Sequence, residues 1–150
     1  DKVLVYCTFP SSYPQIMKVL QLHEIQALQI HGKMTIPTRM KIITKFKNSA
    51  RDGPRVLIVS NVRLTGLNLP CASILIIIDC LWSATEESQL IGQIYCPSQQ
   101  KTVHVYRLVA ANTQDVFLNN LFFDKAAVLN AFIGAMPSLS EFSTLAGIKN

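Results

Sequence analysis

Short runs of apolar, β-branched residues alternate along the chain with stretches whose apolar positions recur every three or four residues. That alternation predicts strands joined by helices, hence a parallel sheet with crossover helices. The run Val3-Leu-Val-Tyr-Cys-Thr-Phe9 reads as a first strand, apolar enough to be buried on both faces. Ser11 or Ser12 can cap a helix to about Leu22, with Ile16, Val19 and Leu20 turned inward. Ile25 to Ile30 reads as a second strand, ended by His31-Gly32. A second helix is expected from about Ile36 to Lys47, with Pro37 tolerated in its first turn. Its expected buried stripe is Ile36, Met40, Ile43 and Phe46, while Lys41 and Lys45 point away. Arg39 falls inside that stripe, so it needs a partner at the helix start or must snorkel.

Arg51-Asp52-Gly53-Pro54 is a turn, Val56 to Ser60 a third strand and Ile74 to Asp79 a fourth. The loop between them, Asn61 to Cys71, is long enough to carry function. A short helix over Glu86 to Tyr95 leads to a last strand, Val103 to Val109. Asn112 or Thr113 then caps a helix to about Ile133, whose Phe117, Leu121, Phe122, Leu129 and Phe132 call for burial. The reading is therefore an α/β domain over residues 1–133, with a mostly parallel sheet of five or six strands flanked by helices. A polar, small-residue tail, 134–150, is expected to be loosely ordered. In such sheets ligands bind at the carboxyl ends of the strands, here Phe9-Pro10, His31-Gly32, Ser60-Asn61, Asp79-Cys80 and Val109.

Composition sharpens this picture in three ways. At 150 residues, 49% hydrophobic and 15% charged, the chain suits one domain with a sizeable core and excludes extended disorder. The longest apolar run, Ile74 to Ile78, is far too short to span a bilayer, so no membrane partner is expected. The chain starts without Met and enters a strand at Val3, as expected for a piece of a longer polypeptide. The net charge of +5 is unevenly placed: eight of the fourteen Lys and Arg lie between Lys33 and Arg63, where Asp52 is the sole acid. That stretch is either a track for a polyanion or a solubilising helix face. From Leu64 to Gln100 there is no Lys or Arg, against Asp79, Glu86 and Glu87. Cys7, Cys71, Cys80 and Cys96 form no CxxC pair and have no His at zinc-finger spacing. They read as buried thiols in a reducing compartment, with no metal site expected.

Physics alone stops at an α/β domain with a polar rim. The order of segments goes further. Lys2-Val-Leu-Val-Tyr-Cys-Thr-Phe9 resembles the opening strand, motif IV, of the second lobe of superfamily 2 helicases. His31-Gly32-Lys33-Met34, with Arg39 and Phe46, resembles the block that follows it. Val59-Ser60 and Gly66-Leu67-Asn68-Leu69 resemble motif V, whose GLNL ending is typical of the Snf2 group. Asp79-Cys80-Leu81-Trp82 is similar to that group's D-x-x-W. Gln89-Leu-Ile-Gly92 opens motif VI, and Pro97 to Leu108 is similar to its tail. Six such segments in order, over residues 2 to 125, are far more specific than any one of them.

The resemblance implies a three-layer RecA-like lobe of the P-loop NTPase type. Such a lobe pairs with an N-terminal RecA-like lobe of the same polypeptide, clamps ATP and Mg²⁺ between the two and crosses DNA. It also implies a nuclear or otherwise intracellular setting. A G-x-x-x-x-G-K-[ST] loop is absent; Gly32-Lys33-Met34-Thr35 lacks the earlier glycine and the adjacent hydroxyl. ATP and Mg²⁺ are thus expected only with an intact first lobe. Gly66, Asn68, Gln89, Gly92, Gln93 and Cys96 would line the nucleotide cleft. His31, Gly32, Lys33, Lys41, Thr65 and Gly66 would face DNA, through cations, a hydroxyl and loop amides. Aligned on Gln89 and Gly92, the pattern Q-x-x-G-R-x-x-R places Gln93 and Cys96 where two arginines are usual, so no catalytic residue is intact and hydrolysis should be impaired. Arg63 stands where a glycine is usual, and Ser83-Ala84 where Asn-Pro follows the tryptophan.

Simpler readings stand beside these. Trp82 packs on the last strand or forms a wedge at the cleft. Asp79 caps a strand end or binds a metal, and His31 is a turn residue or touches a phosphate. His23 and His104 read as surface and strand residues without chemistry. Alternatives to an ATP-dependent DNA translocase lobe are a pseudo-motor module that binds DNA or protein without turnover and a degenerate gene fragment. A flavodoxin-like ligand domain would need a glycine in Phe9-Pro10-Ser11-Ser12 that is not there.

Overall fold

A computed structural model of the chain describes residues 1–60, 68–79, 81 and 83–134, with backbone alone for 84, 126 and 129–134. Five strands, β1 (Lys2–Tyr6), β2 (Ala27–Ile30), β3 (Val56–Val59), β4 (Ala72–Ile77) and β5 (His104–Arg107), form one sheet in the order β2-β3-β1-β4-β5. Every pairing is parallel. The helices are α1 (Tyr13–Leu22), entered through a 3-10 turn at Pro10–Ser12, then α2 (Ile36–Asn48), α3 (Ala84–Ile94) and α4 (Gln114–Gly134). The expected α/β architecture is therefore present; β1, β2, β3 and β5 are shorter than expected by one to three residues, while β4 keeps its six residues but starts two earlier, at Ala72.

Alternate residues of the strands feed two cores. Leu4, Tyr6, Leu57, Val59, Leu75 and Ile77 point to the face that α2, α3 and α4 cover, where they meet Ile43, Phe46, Leu90, Ile94 and Phe122. Val5, Cys7, Val56 and Ile58 point to the other face, against Tyr13, Ile16, Met17 and Leu20 of α1. Strands buried on both faces explain why the runs are continuously apolar rather than alternating.

Four side chains expected inside lie outside. Val19 is 56% exposed, Ile36 73%, Met40 54% and Phe117 67%. Ile36 and Phe117 lie in the first turns of α2 and α4, and Val19 in the last turn of α1. On α1 the position expected of Val19 is taken by Met17. On α2 the buried stripe is Ile43 and Phe46, backed by Ile42. Arg39, the odd residue in that stripe, finds its partners at the helix start: Nε donates to the Met34 carbonyl at 3.0 Å and Nη2 to that of Gly32 at 2.8 Å.

The helix ends are closed by local and distant groups. Thr35 and Ser83 act as N-caps, accepting from the amides of Thr38 (3.4 Å) and Glu86 (3.2 Å). Thr113 Oγ1 accepts from the Asp115 amide at 3.2 Å and donates to the Ala110 carbonyl at 2.8 Å. Asn112, before it, adopts φ 59°, a left-handed conformation that asparagine tolerates. The carboxyl end of α2 is capped from across the molecule. Lys2, 8% exposed, donates Nζ to the carbonyls of Phe46 (2.6 Å) and Lys47 (2.8 Å) and lies 5.4 Å from the Phe46 ring centroid. A cation against the negative end of the helix dipole is favourable, and the two carbonyls keep the buried ammonium hydrogen-bonded.

Candidate functional site

The carboxyl edge of the sheet collects the chain's polar groups. Tyr6, at the end of β1, donates its hydroxyl to Glu86 Oε1 at 2.7 Å in the first turn of α3. Just beyond, the Thr8 amide donates to Asp79 Oδ2 at 2.6 Å, tying the loop after β1 to the loop after β4. Asp79 therefore serves as a strand-end tie, the simpler of its two expected roles. Burial, with the bond to Glu86 second, pushes the Tyr6 phenol well above its ordinary range, so it stays a neutral donor. On the other face Tyr13 donates to the Ile30 carbonyl at 3.0 Å, and burial raises its phenol as well.

The three acids of the cation-free stretch are thus all engaged by the fold: Asp79 by an amide, Glu86 by Tyr6, and Glu87 by Arg107 at the end of β5. Glu87 is only 8% exposed, and Arg107 also lies over the Phe123 ring, 5.2 Å from its centroid, so it joins α3 to α4. Desolvation lowers the Arg107 pKa from its usual value. Among the described residues no group of three His, Cys, Asp or Glu is placed to hold a metal ion.

Gln89, Gly92, Gln93 and Cys96 recur at three- and four-residue spacing, and α3 with its exit turn carries them on one side. Gln89 and Gly92 are exposed, and Gln93 and Cys96 half-buried. A Cβ added to Gly92 would meet nothing within 4 Å, so this side is open. Gln93 Oε1 is buried and has no partner among the described residues. The Gln93 main-chain carbonyl accepts from the Leu69 amide at 2.6 Å. In a continuing helix that carbonyl would go to residue 97, but Pro97 has no N–H, which leaves it free for Leu69. Asn68, exposed beside Leu69, is thereby held next to the α3 group. Thr65 and Gly66, together with Arg63, Cys80 and Trp82, lie outside the described residues.

The DNA-facing candidates form a separate group. His31, half-buried, and exposed Gly32 and Lys33 follow β2, and exposed Lys41 sits on α2. Among the described residues neither lysine meets a carboxylate within ion-pair distance. β2 and β4 are three strand spacings apart, roughly 14 Å, so the structure places this group and the α3 group along one rim without merging them. Sequence reading missed Gln99, whose Nε2 donates to the carbonyls of Ala72 (2.7 Å) and Ile94 (3.1 Å) and clips the end of α3 to β4. It also missed Tyr6, Lys2 and Arg107 as ties; a phenol at the end of an apolar strand was the one available signal.

These residues do not by themselves fit a nucleotide's terminal phosphate. Among the described residues the open side of α3 offers carboxamides and a thiol and no cation, Arg107 being turned to Glu87 and Lys101 to Asp1. The thiols differ in environment. Cys7 is fully buried, and burial, with Asp79 nearby, pushes its pKa from 9.0 up to about 11. A folded value above the unfolded one means that this thiol's contribution to stability is intact below pH 9 and is lost as pH rises toward 11. Cys71 and Cys96 are half-buried. A disulfide reagent at pH 8 is expected to label Cys71 and Cys96 in the folded chain, and Cys7 only on unfolding. Equal labelling rates, read by peptide mass spectrometry, would contradict this placement.

A five-stranded parallel sheet with helices on both faces and a carboxyl-edge rim defines the class: a RecA-like α/β lobe. Residues 1–97 match the family model of the helicase conserved C-terminal domain, and the chain belongs to that family, as a second lobe of the Snf2 type. It is 34% identical over 113 residues to an ATP-dependent helicase of Mycoplasma genitalium, MG018, covering 75% of this chain and 11% of that protein. Against the human DNA repair and recombination protein RAD54-like the identity is 25%, over 75% of this chain and 15% of the relative. For the DNA repair protein RAD5 of Cryptococcus neoformans it is 29%, over 99% of this chain and 12% of the relative. The chain thus spans about a seventh or less of these relatives' length. The crystal structure of the C-terminal part of the Fun30 ATPase domain superposes with a TM-score of 0.75 at 23% identity, over 81% of this chain and 39% of that one. That likeness confirms the fold.

Proposed function

We propose that this lobe belongs to a Snf2-like, DNA-acting motor in which ATP hydrolysis is impaired, so that it holds DNA with little or no turnover. The observation that carries the reading is the open side of α3, where Gln93 and Cys96 occupy the positions at which the family pattern has arginines. Its partners are a companion N-terminal RecA-like lobe and DNA, with ATP and Mg²⁺ engaged only through that companion. The relatives' names, which speak of helicases and DNA repair, support DNA as the ligand and a nuclear or otherwise intracellular setting. No described helix is long and apolar enough to cross a membrane.

On the lobe itself the grip comes from His31 to Lys33 and from Lys41; among the described residues neither lysine pairs with a carboxylate, so both can neutralise phosphates. Every cation that neutralises a duplex phosphate adds about one to the slope of log affinity against log salt. A Lys33→Ala/Lys41→Ala double variant is therefore expected to weaken duplex binding and flatten the salt dependence by about two. Titration of labelled duplex at several salt concentrations measures both. An unchanged affinity and slope would remove the α2 segment as the DNA track.

A further inference from the structure

Arg39 stands where helix stability does not call for it. It lies in the opening turns of α2, whose first turn holds no acid, so its charge is set against the positive end of the helix dipole. Among the described residues it meets no carboxylate within ion-pair distance. Side chains on a helix lean toward its N-terminus, and the Arg39 amide closes the first turn on the Thr35 carbonyl at 3.0 Å. Its guanidinium therefore reaches back over that turn, to the carbonyls of Met34 (3.0 Å) and Gly32 (2.8 Å). Those two carbonyls flank Lys33. Exposed carbonyls can bond water instead, so backbone satisfaction alone does not explain a fork that spans both. What the fork adds is a fixed shape.

The segment from His31 to Met34 has little else to hold it. Its root is tied by the Tyr13 hydroxyl, which donates to the Ile30 carbonyl at 3.0 Å. Its own backbone contributes one turn bond, from the Met34 amide to the His31 carbonyl at 3.1 Å. Among the described residues no other side chain bonds to residues 32–34. A Cβ added to Gly32 would meet nothing within 4 Å, so the turn stands open at that point. Lys33 is exposed and, among the described residues, pairs with no carboxylate. We propose that Arg39 is a positioning residue for the DNA grip: it holds the backbone on both sides of Lys33, so that this lysine meets a duplex phosphate from a turn already in shape. The proposal rests on the reading of residues 31–33 and Lys41 as the DNA-facing group, and it assigns Arg39 no phosphate of its own. Fixing a loop before binding removes an ordering cost that would otherwise be subtracted from affinity. The two carbonyl oxygens, which would repel an incoming phosphate, are also turned onto a cation.

Duplex titration of the 150-residue chain at several salt concentrations tests this, in the parent, Arg39→Met, Lys33→Ala and the double variant. Arg39→Met is expected to weaken duplex binding about tenfold when Lys33 is present and about twofold at most when it is not. Arg39→Lys keeps the charge but not the two-pronged geometry, and it is expected to stay closer to Arg39→Met than to the parent. Amide exchange at Met34, whose N–H closes the turn, gives a measure without DNA. Read by NMR, it should quicken about tenfold in Arg39→Met, while the amides of Val56–Val59 stay protected and report an intact fold. Where Arg39→Met disturbs Val56–Val59, Arg39→Lys decides the matter. Equal losses with and without Lys33, each flattening the salt slope by about one, overturn the proposal by giving Arg39 a phosphate of its own. Full recovery in Arg39→Lys does the same. Unchanged exchange at Met34 overturns it without reference to DNA. Faster exchange with unchanged duplex affinity overturns it alone, whereas a parent chain that binds no duplex overturns it together with the reading beneath it.

Discussion

In the intact polypeptide, with its companion lobe present, DNA-stimulated ATP hydrolysis is expected to stay near background, and Gln93→Arg/Cys96→Arg is expected to raise it. The size of the effect follows from charge. An arginine at a phosphoryl-transfer site is worth roughly 10³–10⁵ in rate, because it offsets charge developing on the phosphoryl oxygens where water is excluded. A factor of 10³ is about 4 kcal/mol. A neutral carboxamide supplies an ordinary hydrogen bond of about 1 kcal/mol at most, and a thiol less. Among the described residues the cations Arg107 and Lys101 do not make up the difference, since Arg107 is held by buried Glu87 and Lys101 by Asp1. Steady-state turnover with and without duplex DNA is the measurement. Robust DNA-stimulated turnover by the unmodified protein would show that another cation reaches the phosphate.

Arg107→Ala is expected to cost about 3 kcal/mol of stability, among the largest losses from any single surface-facing change. Removing one partner of a buried ion pair leaves the other charge desolvated and unpaired, typically at about 3–5 kcal/mol. Glu87 is nearly enclosed, whereas the Arg107 side chain keeps a third of its surface, so the lower end applies. The change also removes the guanidinium from the Phe123 ring, loosening α4. For a chain of this size that loss corresponds to roughly 10 °C in Tm. A Glu87→Leu/Arg107→Met double variant should lie closer to the parent than Arg107→Ala, because no lone charge remains. Denaturant unfolding of the three proteins checks this. A loss below about 1 kcal/mol for Arg107→Ala would mean that water reaches Glu87 freely.

The strands and helices were legible because burial on two faces writes itself as continuous apolar runs, and one-sided burial as a three-to-four-residue period. The family pattern was legible because its segments keep their order. Periodicity gives the direction of a buried stripe but not how far a neighbour extends along it, which is why Val19, Ile36, Met40 and Phe117 were assigned to the interior. Ties such as Tyr6 to Glu86 and Lys2 to Phe46 join residues 80 and 44 positions apart. No local pattern encodes such meetings; they exist only once the register of the sheet is set. Pro97 was visible, but its effect on the Gln93 carbonyl depends on Leu69 being placed beside it.

The first turn of α3 is pinned twice, by Tyr6 through Glu86 and by Arg107 through Glu87, and its far end is clipped by Gln99. None of those three anchors uses the side chain at position 89, 92, 93 or 96, and Gln93 contributes only its main-chain carbonyl, to the Leu69 amide. Those anchors and the family-pattern positions are thus carried by different side chains. Side-chain changes at those positions can therefore accumulate through descent without unravelling the scaffold.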